Sequence, residues 1–220
     1  MSTMKASVKG KYDVDKNTAS SLATFAVNAG DAKIKLSATE ATFSSKNPSS
    51  LQDLTLSLEK PGQFIIDYYV PRNDFRFQFM KSVKMMEKSV NMTYIHFKGI
   101  NRTTLDGSID IDPANKISGN WTVGTNGGKA KYVYSHGESR KTVFEPSYDF
   151  GMHSFDFAVS RKIASDDVVK ATYQTLKKNL GLEWSRNSKV NGSFKISAST
   201  NMDQLKAVKL IAETTWNYEI

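Results

Sequence analysis

The chain has 220 residues, with 30 Lys and Arg against 22 Asp and Glu, a net charge of +8 and no cysteine. This removes disulfides, thiolate metal sites and a cysteine nucleophile, while the positive surplus favours anionic partners. Mean hydropathy is -0.44 and no run of about 18 apolar residues occurs, which excludes a transmembrane helix but not a transmembrane barrel, whose strands hide half their residues in water.

The N-terminus, MSTMKASVKGKYD, lacks the apolar core of a secretory signal, so no cleavable address is expected. From Lys5 the polar residues Lys5, Ser7, Lys9 and Lys11 alternate with Ala6, Val8, Gly10 and Tyr12. Successive side chains on a strand point to opposite faces, so this is a two-faced strand. Asn17 to Ser21 reads as a polar turn, after which Ala23, Phe25, Val27 and Ala29 hold one face up to Gly30-Asp31. Ala32, Ile34, Leu36 and Ala38 then alternate with Lys33, Lys35, Ser37 and Thr39. Slipping that register by one residue would move both lysines onto the apolar face, so the register is fixed. Ser44 to Ser50 reads as one of the larger loops, followed by Leu54, Leu56 and Leu58 on one face.

Pro61-Gly62 and Pro71 to Asp74 are turn signals, and past them Phe75, Phe77 and Phe79 alternate with Arg76, Gln78 and Met80. In Lys81 to Lys88 the period breaks toward helical spacing, giving a turn or a single helical turn. Ser89 to Lys98 is apolar on both faces and is expected to be buried or lipid-flanked on both. Arg102 to Asp112 sets Leu105, Ile109 and Ile111 against an acidic face carrying Asp106, Asp110 and Asp112. After the turn Asp112 to Asn115 come Ile117, Gly119, Trp121 and Val123. Asn126-Gly127-Gly128 then signals a hairpin into Ala130, Tyr132 and Tyr134, opposite Lys129 and Lys131. His136 to Lys141 is a loop, and Phe155, Phe157 and Val159 mark another strand. Ser165 to Gly181 reads better as a strand setting Val169, Ala171, Tyr173 and Thr175 against Lys170, Thr172 and Gln174. A helix capped by Ser165 and ended by Gly181 is the competing reading. Leu180, Leu182 and Trp184, then Phe194, Ile196 and Ala198, then Leu210 to Tyr218 complete the pattern, with Glu183, Lys195 and Glu213 on the opposite faces.

No linker divides the chain. It reads as one all-β antiparallel domain over residues 4–220 behind a short extension, Met1 to Thr3, with roughly a dozen to sixteen strands. Gly124 to Lys129 has the wrong spacing for a phosphate loop, and the aspartates around Asp106 lack a calcium-loop frame. The histidines are isolated and no GxSxG elbow exists, so neither an enzyme nor a cofactor is expected. Single-stranded nucleic acid binders place rings and cations on one face; here they fall on opposite faces, so nucleic acid is not the expected partner. Two readings stay open: a membrane barrel with rings in lipid, and a soluble basic β-sandwich or small barrel binding an anionic ligand or membrane surface.

MKASVKGKYD, EKPGQFIIDYYVPRNDFRFQFM, MTYIHFKG, NRTTLDGSIDIDPANK, ATYQTLKKNLGLEWS and AETTWN, spread from Met4 to Asn217, resemble the outer envelope pore protein 24 family of chloroplasts. The resemblance implies a multi-pass β-barrel pore in the plastid outer envelope, without a cleaved transit peptide, catalytic residue or cofactor. Its partners would be the lipid bilayer and small anionic and neutral metabolites: triose phosphates, sugars, dicarboxylates, amino acids, ATP and phosphate. It is compatible with a homo-oligomer. On that reading Lys9, Lys11, Lys33, Lys35, Arg76, Lys129, Lys131, Lys170 and Lys195 line the lumen, with Asp106, Asp110 and Glu183 as counter-charges.

Overall fold

A computed structural model describes residues 4–44, 51–188, 192–205 and 207–219. The strands, in chain order, are β1 (Met4–Asp13), β2 (Thr18–Ala29), β3 (Ala32–Thr39), β4 (Thr55–Lys60), β5 (Phe64–Tyr69), β6 (Asp74–Met85), β7 (Lys88–Phe97), β8 (Arg102–Asp110) and β9 (Asn115–Thr122). They continue as β10 (Gly128–His136), β11 (Thr142–Phe144), β12 (Ser147–Asp149), β13 (Ser154–Lys162), β14 (Asp167–Gln174), β15 (Asn179–Ser188), β16 (Gly192–Asn201) and β17 (Val208–Glu219). A short helix, α1 (Glu40–Ser44), follows β3, and its Glu40 carboxylate accepts bonds from the Ser21 backbone N–H and hydroxyl.

All seventeen segments form one sheet of antiparallel neighbours. β11 and β12 both lie between β10 and β13 in one register, so they are a single strand interrupted. The interruption is Pro146, which has no N–H to give the ladder. Its carbonyl still accepts from Tyr132 at 3.0 Å, and Glu145 exchanges two bonds with Ala158 at 2.8 and 3.2 Å. That leaves sixteen strand positions. β1 pairs with β17 from Lys5 opposite Glu219 to Asp13 opposite Ile211, which closes the sheet into a barrel and brings both ends of the described chain to one rim. With this many strands tilted by roughly 35–45°, the interior is wider than side chains can fill.

Closure rules out the sandwich, and burial shows why the sequence does not make one. Among the described residues the only buried apolar side chain is Ala38, and no large side chain is fully buried. Phe25, Leu36, Leu56, Phe79, Leu182 and Trp216 are all exposed, on the side of the sheet away from the lysines. A soluble domain of this length buries an apolar core. Here the apolar residues form the outside, as a barrel dissolved in lipid requires.

Several expectations change in detail. Lys81 to Lys88 contains no helical turn: β6 runs on to Met85, and Met86 and Glu87, both at positive φ (50° and 62°), make a two-residue hairpin turn into β7. The helix reading of Ser165 to Gly181 is overturned, because β14, a turn at Thr175 to Lys178, and the start of β15 occupy it; the strand phase stands as read. Thr18 to Ser21 belong to β2 rather than to a turn. The β9–β10 hairpin exists, but the positive φ falls on Gly124 (77°) rather than at Asn126-Gly127. β7 is not lipid-flanked on both faces: Ile95 and Phe97 sit opposite Gln78 and Arg76 on the lysine side, where Arg102 lies 5.1 Å over the Phe97 ring. The loop expected at Ser44 to Ser50 falls mostly on 45–50, and the extension on 1–3, outside the described residues.

The β8–β9 turn closes as its residues suggest. Asp112 accepts from the N–H groups of Ala114 and Asn115 at 2.7 and 2.9 Å and from the Asn115 side chain. Those bonds, the Asn115 side chain first, hold its carboxyl below the usual carboxylate value. The stability they add is therefore present above the unfolded-state value and lost as pH falls through the lowered folded one. Wild type and Asp112→Ala should accordingly differ in thermal midpoint at pH 7, with the gap closing as the pH drops below about 4. A gap of constant size across that range would contradict the assignment.

Candidate pore lumen

The cross-strand register fixes which side chains share a face. Lys35 of β3 stands opposite Ser57, Ser57 opposite Asp67, and Asp67 opposite Arg76. Lys11 of β1 stands opposite Glu213, Glu213 opposite Lys195, and Lys170 opposite Glu183. Asp106 faces Asn120, which faces Lys129, with Lys131 two residues on from Lys129 and Asp110 four on from Asp106 along their strands. Lys9 and Lys33 fall in phase with Lys11 and Lys35. All twelve residues singled out from the alternation therefore share one face. That face is concave: against β7 to β14 it encloses a cavity of about 700 Å³ whose lining includes Asp106, Lys129, Lys131, Glu145, Asp156 and Lys170.

Most of these cations are held by carboxylates. Glu145 bridges Lys131 at 3.2 Å and Lys170 at 2.9 Å, and Asp156 bonds Lys129 at 2.6 Å. Glu213 takes Lys9 at 3.4 Å and Lys195 at 3.1 Å, with Glu183 at 3.8 Å from the same Lys195. Glu59 pairs with Lys35, and Asp110 with Lys116 at 3.3 Å. Among the described residues Lys11, Lys33 and Asp106 have no ionic partner.

Asp106, Asp110 and Glu183 were the counter-charges expected from the sequence, yet they do the smaller part. Glu59, Asp67, Glu145, Asp156 and Glu213 hold most of the cations. Glu59, Asp156 and Glu213 were in phase with the polar face and could have been found by pairing strands; Glu145 is in phase too, with Ser147 and Asp149 against Phe144 and Tyr148, but Pro146 beside it argues locally against a strand.

Asp67 is the most enclosed member, only 6% exposed, and accepts from Arg76 Nε at 2.7 Å and a terminal guanidinium nitrogen at 2.6 Å. Removing the guanidinium strands a desolvated carboxylate, so Arg76→Ala should destabilise the refolded protein by about 1–3 kcal/mol. The double variant Arg76→Met with Asp67→Leu should recover most of that in urea titrations from vesicles. Equal losses in both variants would remove the pair from the account.

A closed sixteen-position barrel with an apolar exterior and a charged, hollow interior defines the chain as a porin-like transmembrane β-barrel protein. Solved structures agree on the fold. A mutant of the Rhodopseudomonas blastica porin aligns over 100% of this chain and 99% of its own at 7% identity with a TM-score of 0.62, and the Acinetobacter baumannii outer membrane protein Omp33 over 99% and 98% at 8% identity with a TM-score of 0.53. The profile described as Outer envelope pore protein 24 matches residues 4–219. Outer envelope pore protein 24B, chloroplastic, of Arabidopsis thaliana is 53% identical over 99% of both chains, and Outer envelope pore protein 24, chloroplastic, of Oryza sativa subsp. indica is 48% identical over 99% of this chain and 100% of its own. The chain belongs to the outer envelope pore protein 24 family. It is a pore protein of the chloroplast outer envelope.

Proposed function

We propose that the barrel is a wide, weakly selective pore for passive diffusion of small metabolites, with the twelve residues above lining its water-filled lumen. The solutes are triose phosphates, sugars, dicarboxylates, amino acids, phosphate and ATP. The observation that carries this reading is the pairing of the interior charges. Where Glu145 holds two lysines and Glu213 two more, the field a solute meets is that of short-range dipoles with a small positive surplus, screened within about 10 Å at 0.1 M salt. Such a wall admits anions somewhat ahead of cations and leaves neutral solutes unhindered. No enzyme step is needed. Because the sheet closes within one chain, a homo-oligomer would multiply pores without completing one.

Liposome swelling tests the reading directly. Vesicles containing the refolded protein should swell in sugars, amino acids and dicarboxylates at rates graded by solute size, with anions modestly favoured. Saturable entry of one solute with exclusion of others of equal size would contradict it.

A further inference from the structure

The outward face is not symmetric between its two rims. Among outward strand positions, Lys and Arg occur at Lys60, Lys81, Lys88, Arg161 and Arg186. Every one lies toward the rim that carries both ends of the described chain. Lys60 is the last residue of β4, Lys81 lies four residues before the end of β6, Lys88 opens β7 beside the β6–β7 turn, Arg161 is next to last in β13, and Arg186 is near the end of β15. The opposite rim ends in outward rings, Tyr12, Tyr68, Phe75, Trp121, Tyr148 and Phe155, and Lys98 in its β7–β8 turn lies 5.7 Å over the Phe75 ring.

The basic positions form two arcs on opposite sides of the barrel, one on β4, β6 and β7 and one on β13 and β15. Among outward strand positions of the described residues the one acid is Asp167, which accepts twice from Arg186 at 2.7 Å, while Asp31 bridges Lys60 at 2.6 Å from the β2–β3 turn. Lys81, Lys88 and Arg161 are exposed and form no salt bridge among the described residues; Lys88 donates to the Ile111 carbonyl and its charge also reaches Asp112 in the β8–β9 turn. The positions just inside this rim are lipid-facing, among them Phe79 and Trp184, and Arg186 lies 5.9 Å over the ring of Phe194, its cross-strand neighbour. The charges thus stand where the hydrocarbon ends, and long stems let Lys and Arg reach from there into the headgroups.

We propose that this collar binds anionic lipid headgroups, selecting lipids of net negative headgroup charge around the rim that holds the chain ends. The inference needs the barrel to span a bilayer and is independent of what passes through it. Surface potentials of this kind attract charge within a Debye length and weaken with salt.

The test uses the full chain refolded into phosphatidylcholine vesicles with spin-labelled phosphatidylglycerol or phosphatidylcholine as the probe. Wild type should hold the anionic label about two- to threefold more strongly than the neutral one at low salt. The ratio should fall to near one in Lys81→Gln/Lys88→Gln/Arg161→Gln and persist in the inner-face control Lys33→Gln/Lys35→Gln. Equal retention of the two labels by wild type, or a ratio unchanged in the triple variant, overturns the proposal. Should the triple variant not fold, wild type in about 1 M KCl decides, because a preference that survives full screening is not electrostatic.

Discussion

Leu56→Arg should destabilise the bilayer-inserted protein by roughly 1–3 kcal/mol, the cost of a cation facing lipid between the midplane and the interface, or prevent insertion altogether. Its neighbour on the same strand should tolerate the same change: Ser57→Arg should cost less than about 0.5 kcal/mol, because its side chain enters water beside Asp67. The contrast is informative because Leu56 is already 44% exposed. In a soluble protein an exposed leucine on a strand accepts arginine at small cost. Only lipid on that side turns exposure into a large penalty. Urea titrations of both variants from lipid vesicles supply the numbers, and equal tolerance at the two positions would mean that the apolar face does not meet hydrocarbon.

Lys33→Glu with Lys35→Glu should carry the largest functional effect. Lys33 is unpaired among the described residues and Lys35 is held by Glu59, so the double change turns a cationic patch into three neighbouring carboxylates. Under a tenfold KCl gradient the reversal potential should move toward cation selectivity by on the order of 10 mV, with conductance largely kept, since width rather than charge limits flow. The shift should shrink as ionic strength rises. A reversal potential identical to wild type would place these lysines off the conduction path.

The parts of the barrel that the sequence makes legible are those where alternation is strict. In β3 and β8 the phase assigns every inward and outward residue, because a slip of one residue would expose charge to lipid. Periodicity alone could not choose lipid over a protein core for Phe75, Phe77 and Phe79, since both demand the same face. What separates them is closure of β17 on β1, a pairing between the two ends of the chain that no local pattern encodes. In 142–149 Phe144, Pro146 and Tyr148 alternate with Glu145, Ser147 and Asp149, but a proline that cannot give a ladder bond argues against a strand there, so Glu145, which clamps two lysines, is hidden. At Lys81 to Lys88 the three-residue spacing of Met80, Val83 and Met86 imitates a helix, although Met86 and Glu87 take the left-handed conformation that a tight hairpin needs. In β7 the outward Val90, Met92 and Tyr94 are in strict phase, and the inward Ile95 and Phe97 are an apolar patch on an otherwise charged wall.

The central claim, a water-filled pore through the middle of this barrel, is tested most directly by single-channel current from the purified protein refolded into a planar lipid bilayer. The account predicts discrete, large conductance steps with a modest preference for anions. Protein that is folded and inserted yet passes no current would contradict it, and would leave the paired charges of the interior as the wall of a closed cavity.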